Sequence, residues 1–269
     1  MSPVKLGTAL PKQIAVFDTE TDGVDVENCH IVTAFIGVMD VESGDIVERW
    51  SWLLNTGHEI PKGASDVHGI TTERMMAEGT DPKRGVFDIS QRLDILDRRG
   101  LVIVAMNAPF DFTLLDRELL RHWPTMRPLM QPNDQGVITR PLVFDPMVFD
   151  RAIDKYRSGS RRLVDLAALY GVPVETNAHD AEADCRMAGR VAIKLLSHSR
   201  LAEMTLPEVH AKLIPTHRNN NVGLATFWKT GKGLANATPE ERRNAIEETM
   251  ATAGQWPMRP RPQQEGVTP

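Results

Sequence analysis

The alternation of apolar and polar residues predicts a sheet that begins as a meander. Ile14–Asp18 is a short apolar run, and Ile31–Met39 and Ile46–Leu54 are rich in β-branched and aromatic residues. Turn residues at positions 42–45 separate the last two runs, so we expect them to pair as neighbouring strands. Leu101–Met106 is almost purely apolar, which is typical of a strand buried on both faces.

Helical periods follow the meander and alternate with the later strands. Val86–Arg98 places apolar residues three or four positions apart, and Gly100 closes this helix. A proline-rich loop is predicted between Pro124 and Pro141. The remaining predicted elements are a short strand at Leu142–Phe144 and helices at Phe112–His122, after Asp145, at Leu163–Tyr170 and at Ala181–Leu196. This order predicts an α/β fold with a mixed sheet.

The pattern weakens from about residue 201 onward. Thr238-Pro-Glu-Glu241 is a capping box with proline at the first helical position, so Pro239–Thr252 is predicted to be a helix. From Trp256 the chain is polar and rich in proline, and we expect it to be disordered. The predicted organisation is therefore one domain over residues 10–200 and a C-terminal extension over residues 201–269, partly helical with a disordered end.

Composition narrows the class of protein. The chain has 269 residues, of which 41% are hydrophobic and 25% are charged, and these values are ordinary for a globular protein. No apolar run reaches the length of a membrane-spanning helix, and the first fifteen residues lack the features of a secretory signal. Two cysteines cannot form a disulfide framework or a thiolate metal cluster. We expect a cytoplasmic protein.

The charge is distributed unevenly along the chain. The net charge is −5, but residues 1–150 carry 14 Lys and Arg against 23 Asp and Glu, whereas residues 151–269 carry 17 against 13. An acidic body with a basic flank suits a metal site beside a rim that attracts phosphate. A solvated surface explains the same charges, so charge alone decides nothing. The basic cluster consists of Arg151, Lys155, Arg157, Arg161 and Arg162.

The densest chemical signal is Phe17-Asp-Thr-Glu-Thr21, at the end of the first predicted strand. Side chains two positions apart on a strand point to the same side, so Asp18 and Glu20 present two carboxylates together. Their mutual repulsion is unfavourable unless a cation or a proton lies between them. Solubility of an exposed strand edge is the alternative explanation for this pair.

Two later motifs also carry acids beside predicted elements. Asn107-Ala-Pro-Phe-Asp111 directly follows the buried strand, at the rim where α/β sheets hold ligands, although helix capping explains these residues as well. His179 precedes Asp184 by five positions, about 140° apart on a regular helix. His179 should therefore lie in the loop or first turn, with Asp184 inside the helix. A surface histidine beside a helix is the alternative.

Taken in order, the three motifs resemble those of the DnaQ-like (DEDDh) 3′–5′ exonucleases, similar to the exonuclease domain of the DNA polymerase III epsilon subunit. The segment Val67-His-Gly-Ile-Thr71 resembles one that lies between the first two motifs in that family. The resemblance implies a ribonuclease H-like fold, with a five-stranded mixed sheet flanked by helices. It also implies hydrolysis of phosphodiester bonds from the 3′ end of a nucleic acid.

Residue roles follow from the same resemblance, position by position. It implies two divalent cations, Mg²⁺ or Mn²⁺, held by four carboxylates, and a histidine that acts as general base, a role suited to the pKa of imidazole. It further implies three residues that hold the 3′-terminal nucleotide. The metal ligands would be Asp18, Glu20, Asp111 and Asp184, the base His179, and the nucleotide-binding residues Thr21, Asn107 and Phe110.

Three functions remain open at this stage. The favoured one is a DNA exonuclease in proofreading, repair or replication, and the second is an exoribonuclease or oligoribonucleotide-degrading enzyme. The third is a non-catalytic nucleic-acid-binding or polymerase-docking module, which the complete set of catalytic residues disfavours. The extension could bind a polymerase or another replication partner. All three motifs precede residue 200, so a protein truncated after Ser199 is expected to keep its activity.

Overall fold

Five strands form one mixed sheet in the computed structural model, which describes residues 4–175, 180–231, 233–234 and 237–262. The order across the sheet is β3-β2-β1-β4-β5, with β1 in the centre. The first three strands are antiparallel, whereas β4 runs parallel to β1 and β5 parallel to β4. The strands are β1 (Gln13–Thr21), β2 (Ile31–Asp40), β3 (Ile46–Leu53), β4 (Ile103–Val104) and β5 (Val143–Phe144). The predicted five-stranded mixed sheet is confirmed.

Helices cover the sheet and continue into the extension. They are α1 (Lys62–His68), α2 (Thr72–Glu78), α3 (Pro82–Arg98), α4 (Ala108–His122), α5 (Pro146–Ile153), α6 (Leu163–Leu169), α7 (Ala181–Leu196), α8 (Leu206–Lys229) and α9 (Pro239–Ala251). The sequence predicted six of these helices and missed α1, α2 and α8. The first two have seven residues each, too few to show a helical period between turn residues.

The apolar core lies where α7 crosses β1 and β2. Val16 and Phe17 of the central strand are fully buried, because α7 lies against Val16 and Phe112 of α4 packs on the ring of Phe17. Gly189 permits the close approach of α7 to the sheet. A Cβ atom there would lie 2.7 Å from Met39 Sδ and 2.8 Å from Val16 Cγ1. The position of α7 on the sheet, and of every residue it carries, therefore depends on this glycine.

The extension packs on the same core instead of standing apart from it. Helix α8 contacts α5 and α9, and Leu213 of α8 is buried in the cluster that includes the strand residues. Trp256 and Met258 are buried there as well. The prediction of disorder is therefore wrong for residues 256–262. The rest of the predicted tail, 263–269, lies outside the described residues.

Residues 256–262, which we call the C-terminal segment, are fastened to α4 by polar contacts. The backbone N–H of Arg259 donates to Thr113 Oγ1 at 2.9 Å, and Arg117 Nη2 donates to the carbonyl of Pro260 at 2.8 Å. The Arg261 guanidinium donates to both carboxylate oxygens of the fully buried Asp116, at 2.8 and 2.9 Å. These bonds explain why a polar, proline-rich sequence is ordered here.

No helix among the described residues is long and apolar enough to cross a membrane.

Candidate active site

The end of β1 supplies the first two carboxylates. Asp18 and Glu20 are two positions apart on a strand that pairs with β2 on one side and β4 on the other. The strand period turns both side chains to one face, as the sequence predicts. Their carboxylate oxygens and one from Asp184 all lie within 4.8 Å of one another. Strand and helix thus bring together acids that are more than 160 positions apart in the chain.

Asp184 reaches this cluster from the first turn of α7. The helix begins after Asp180, whose side chain accepts a hydrogen bond from Glu182 N at 3.2 Å and so caps the exposed amides. Asp184 then lies inside the helix, where the sequence placed it. The predicted base, His179, precedes this cap and lies outside the described residues.

Asp111 is the fourth predicted metal ligand, and it lies beside the cluster in the first turn of α4. Its side chain is buried, and its Oδ1 accepts a hydrogen bond from Thr19 Oγ1 at 2.7 Å. Thr19 points to the opposite face of β1 from Asp18 in the strand alternation, yet its hydroxyl reaches this helix. One oxygen of Asp111 is therefore oriented by the central strand itself.

Burial and mutual repulsion raise the pKa values of these acids. Burial raises the pKa of the Asp18 carboxyl well above its ordinary value, and the charges of Asp111, Glu20 and Asp184 raise it further. Burial, followed by the charge of Asp184, raises the pKa of Glu20 to about 8. Burial raises the pKa of Asp111 to about 7 although the hydrogen bond from Thr19 opposes it. The four acids thus form one electrostatic unit.

Asp145 fixes the turn that carries Asp111. Asn107 adopts a left-handed conformation, with φ of 62°, immediately before α4. Asp145 accepts hydrogen bonds from the backbone of Asn107 at 3.3 Å and of Ala108 at 3.0 Å, and it also caps α5 through Met147 N. The helix predicted after Asp145 is confirmed as α5, but the contact between Asp145 and the start of α4 was not predicted. The residue that caps α5 therefore also positions the turn at the start of α4, which carries Asp111.

Two of the three predicted nucleotide-binding residues line one cavity, and Thr21 is not among its lining residues. Asn107 and Phe110 line one cavity of about 300 Å³, which continues towards α8 and α9. Thr21 donates its hydroxyl to the carbonyl of Gly23 at 2.6 Å, which holds the turn after β1. A separate cavity of about 590 Å³ lies beside Glu20 and is lined also by His68 of the Val67–Thr71 segment.

Sequence reasoning missed Thr19 and the second role of Asp145. Thr19 lies between the two acids of the first motif, so its identity was visible but its direction was not. Asp145 followed by proline is a clear helix-cap signature, but this signature does not indicate the contact between Asp145 and the start of α4. Both are contacts between distant segments, which no local pattern encodes.

The donor set of the cluster suits a hard divalent cation. Asp18, Glu20 and Asp184 offer only carboxylate oxygens, which are the ligands that Mg²⁺ and Mn²⁺ prefer, and the described residues of the cluster include no thiolate. The spacing of the oxygens lets one ion contact all three residues. Four neighbouring negative charges, with Asp111 included, are stabilised when a cation binds among them.

Comparison with known proteins agrees with this arrangement. The RNase T exonuclease family model matches residues 15–192, which contain all three motifs and most of the sheet. The chain belongs to the RNase T exonuclease family. The predicted resemblance to DnaQ-like exonucleases is confirmed, and membership of this family supports nuclease activity.

Two relatives connect this exonuclease to replication proteins. The DNA polymerase III subunit epsilon of Treponema pallidum is 28% identical over 184 residues, which cover 68% of this chain and 75% of that protein. The DNA polymerase III PolC-type of Streptococcus mutans is 27% identical over 229 residues, which cover 82% of this chain. The chain spans only 14% of that PolC-type protein.

A solved structure shares the fold. Escherichia coli exonuclease I in complex with a dA16 oligonucleotide superposes with a TM-score of 0.57 at 18% identity, over 78% of this chain and 44% of that chain. The likeness at this identity concerns the fold alone. The ribonuclease H-like fold that the sequence resemblance implied is confirmed.

Proposed function

We propose that this protein is a metal-dependent 3′–5′ exonuclease that removes nucleoside 5′-monophosphates from the 3′ end of DNA. The observation that carries the proposal is the convergence of Asp18, Glu20 and Asp184 within 4.8 Å, beside the buried Asp111. Solubility does not explain half-buried and buried acids that repel one another. The family match and the names of the replication relatives support the same chemistry.

Each residue would perform a role that follows from its chemistry. Asp18, Glu20, Asp111 and Asp184 would hold two divalent cations, which supply Lewis acidity at the phosphodiester and at the attacking water. His179 would accept the proton of that water, because imidazole titrates near neutral pH.

Phe110 would contact the base or sugar of the 3′-terminal nucleotide, and Asn107 would position it from the same cavity. Thr21 would contribute through its backbone or after its hydroxyl leaves Gly23. Asp145 and Thr19 fix the turn that bears Asp111. The carboxylate on α4 would therefore already be correctly placed relative to those on β1 before substrate binds.

The test is digestion of end-labelled oligonucleotides with Mg²⁺ or Mn²⁺ and with EDTA. A 5′-labelled DNA strand should give a ladder of shortened products and free nucleoside 5′-monophosphates, with no product after chelation. Internal cleavage of a strand blocked at its 3′ end would overturn the 3′–5′ direction. A matched RNA strand tests the exoribonuclease alternative, since preferred hydrolysis of RNA would overturn DNA as the substrate.

A role in proofreading or repair, and cytoplasmic location, are part of the same proposal. The relatives named as polymerase III proteins support a place in replication. Binding of a polymerase through residues 201–269 stays a prediction, and copurification of the full chain with a replicative polymerase, against the chain carrying substitutions on the exposed face of α9, tests it.

A further inference from the structure

A groove leads from the candidate active site along the extension. The cavity at Asn107 and Phe110 has a volume of about 300 Å³, and a second cavity of about 490 Å³ lies further along α8. Both are lined by Arg151, Asn220 and Leu224, so they adjoin each other between α5 and α8. We call the two together the Arg151 groove.

Arg151 is the cation at the junction of the two cavities. Its side chain is half-buried, and in the part of the chain that the structure describes it takes part in no hydrogen bond or ion pair. Asn220 beside it is occupied, because its Nδ2 donates to the carbonyl of Val148 at 3.0 Å. The charges of Asp145 and Asp150 act on Arg151, but neither carboxylate pairs with it directly, so its half-buried guanidinium can accept a further anionic partner.

Two neighbouring arginines are already paired with a buried carboxylate, and these pairs stabilise the wall of the groove. Arg157 and Arg161 both donate to the buried carboxylate of Asp150, at 2.7 and 2.9 Å. These bonds fix the loop that places Lys155 at the rim. Arg151 and Lys155 are therefore the cations of this wall that an external anion can use.

Acidic groups are nearly absent from the groove, and aromatic groups are frequent. Among the described residues that line it, Glu248 is the one carboxylate, and it faces Arg259 at 3.6 Å. Tyr156 is 89% exposed, with Lys155 Nζ 5.6 Å from the centre of its ring, and Phe227 is 46% exposed. Trp228 lines the inner cavity. Cations interleaved with exposed aromatic rings are the chemistry that binds single-stranded nucleic acid.

We propose that the Arg151 groove binds the single-stranded polynucleotide that continues on the 5′ side of the nucleotide at Asn107 and Phe110. Arg151 and Lys155 contact phosphates, and Tyr156 and Phe227 stack on bases. The orientation of the strand rests on the proposed exonuclease function, since the 3′ end must lie at the carboxylates. The extension is then a part of the substrate site.

Gly223 allows a test that changes the charge of the groove without altering its walls. This residue lies on α8 in the groove, and a Cβ atom there would meet only Lys155 Cε, at 3.8 Å. Gly223→Glu should weaken binding of a 16-nucleotide strand roughly fivefold relative to the neutral, equally long Gly223→Gln, and Gly223→Lys should tighten it by a similar factor at low salt.

The measurement is fluorescence anisotropy of labelled dT16, dT4 and rU16 in EDTA, so that binding is read without hydrolysis. The charge effect should be larger for dT16 than for dT4, because the short strand does not fill the groove. Arg151→Gln should also lower the slope of log K against log salt by about 0.7 for dT16, as expected for one lost phosphate contact on a single strand.

Exposed aromatic residues give variants that do not endanger folding. Tyr156→Ala and Phe227→Ala should each weaken dT16 binding at least about fivefold through lost stacking. Phe87→Ala is the matched control, since Phe87 is 39% exposed but lies on α3, away from the groove. Equal losses in the control and the groove variants would contradict the stacking role.

The outcomes separate this proposal from the proposed function. Equal affinity of the Glu, Gln and Lys variants at position 223, or equal effects on dT16 and dT4, would overturn the groove even if the protein degrades DNA. Charge-dependent binding without any hydrolysis in Mg²⁺ or Mn²⁺ would support the groove and overturn the exonuclease. An effect of the charge at position 223 on the binding of rU16 but not of dT16 would support the groove and overturn DNA as the substrate.

Discussion

The nuclease body and the extension are held together by different forces. In the body, β1 and β2 are buried along most of their length, and apolar contacts dominate. In the extension, α9 buries no residue, and two of the five buried residues of α8 are His210 and His217. Because the extension buries little apolar area, polar contacts to the body supply much of its stabilisation, above all the hydrogen bonds from Arg261 to Asp116.

The two regions therefore serve different parts of the proposed function: the body holds the carboxylates, and the extension helps to line the groove for the substrate strand. The carboxylates lie on the most apolar part of the fold, where a rigid strand can hold repelling charges close together. The extension has fewer buried residues, and it lines the groove together with the body: the body supplies the basic residues and Tyr156, and the extension supplies Phe227. Changes to the carboxylates should therefore be seen mainly in activity, and changes to the contacts that hold the extension on the body should be seen mainly in stability.

The largest effect is expected in the body. Asp184→Asn should abolish hydrolysis, because the cluster loses a ligand charge, while the metal-free protein becomes slightly more stable as the repulsion is relieved. Activity against labelled DNA and a thermal melt in EDTA check both parts. Asp94→Asn, a surface residue paired with Arg98, should leave activity unchanged. Full activity of Asp184→Asn would remove it from the site.

Removing the extension should have the largest effect on stability. The structure reverses the expectation that a protein truncated after Ser199 keeps its activity, because truncation exposes the core around Leu213 and Trp256 and leaves the buried Asp116 without Arg261. We expect an unfolded or aggregated product, measured by circular dichroism and gel filtration. A folded and active product would show that the body is independent.

A single contact of the C-terminal segment should account for part of that loss. Arg261→Ala leaves the buried Asp116 with Arg117 Nη1 at 3.2 Å and Leu129 N at 2.7 Å, so we expect the free energy of unfolding to fall by about 3 kcal/mol. Urea denaturation measures this change. Arg98→Ala, which breaks a surface pair on α3, is the control and should cost less than about 0.5 kcal/mol.

The extension should also make the protein sensitive to mild acid. Burial, followed by the charges of Arg151 and Arg259, lowers the pKa of His217 to about 4. The unfolded chain therefore takes up this proton first, and stability is present above pH 6.5 and is lost as the pH falls towards 4. Between pH 7 and pH 5 the loss from this residue should be about 2 kcal/mol.

Denaturation of His217→Gln at both pH values checks this prediction, since the variant should lose less stability over the same range. Burial also lowers the pKa of His210, so part of the acid sensitivity should persist in the variant. An identical pH dependence in wild type and His217→Gln would contradict the assignment.

Sequence patterns predicted the body because its elements are locally consistent. β-branched runs indicate β1 and β2, and the two-residue period of Asp18 and Glu20 places both acids on one face of the strand. The resemblance added Asp111 and Asp184, but no local pattern could predict the hydrogen bond from Thr19 to Asp111, because it joins residues 92 positions apart.

The extension was harder to predict for a physical reason. Helix α8 places histidines at buried positions and contains Pro215, so its apolar period is weak although it has 24 residues. The order of residues 256–262 comes from acceptors on α4 that lie about 140 positions earlier. Because these partners are so distant in the sequence, the segment has the local composition of a disordered segment although it is ordered in the structure.

The contact between Asp116 and Arg261 also bears on how the protein is made. The two residues are 145 positions apart in the chain, so a ribosome that adds about 5–20 residues per second needs roughly 7–30 s to deliver Arg261 after Asp116. During that interval the carboxylate on α4 has Arg117 as its neighbouring cation, and the helix that bears Asp111 lacks its last anchors. The nascent chain is thus exposed to chaperones and proteases until the C-terminal segment has emerged.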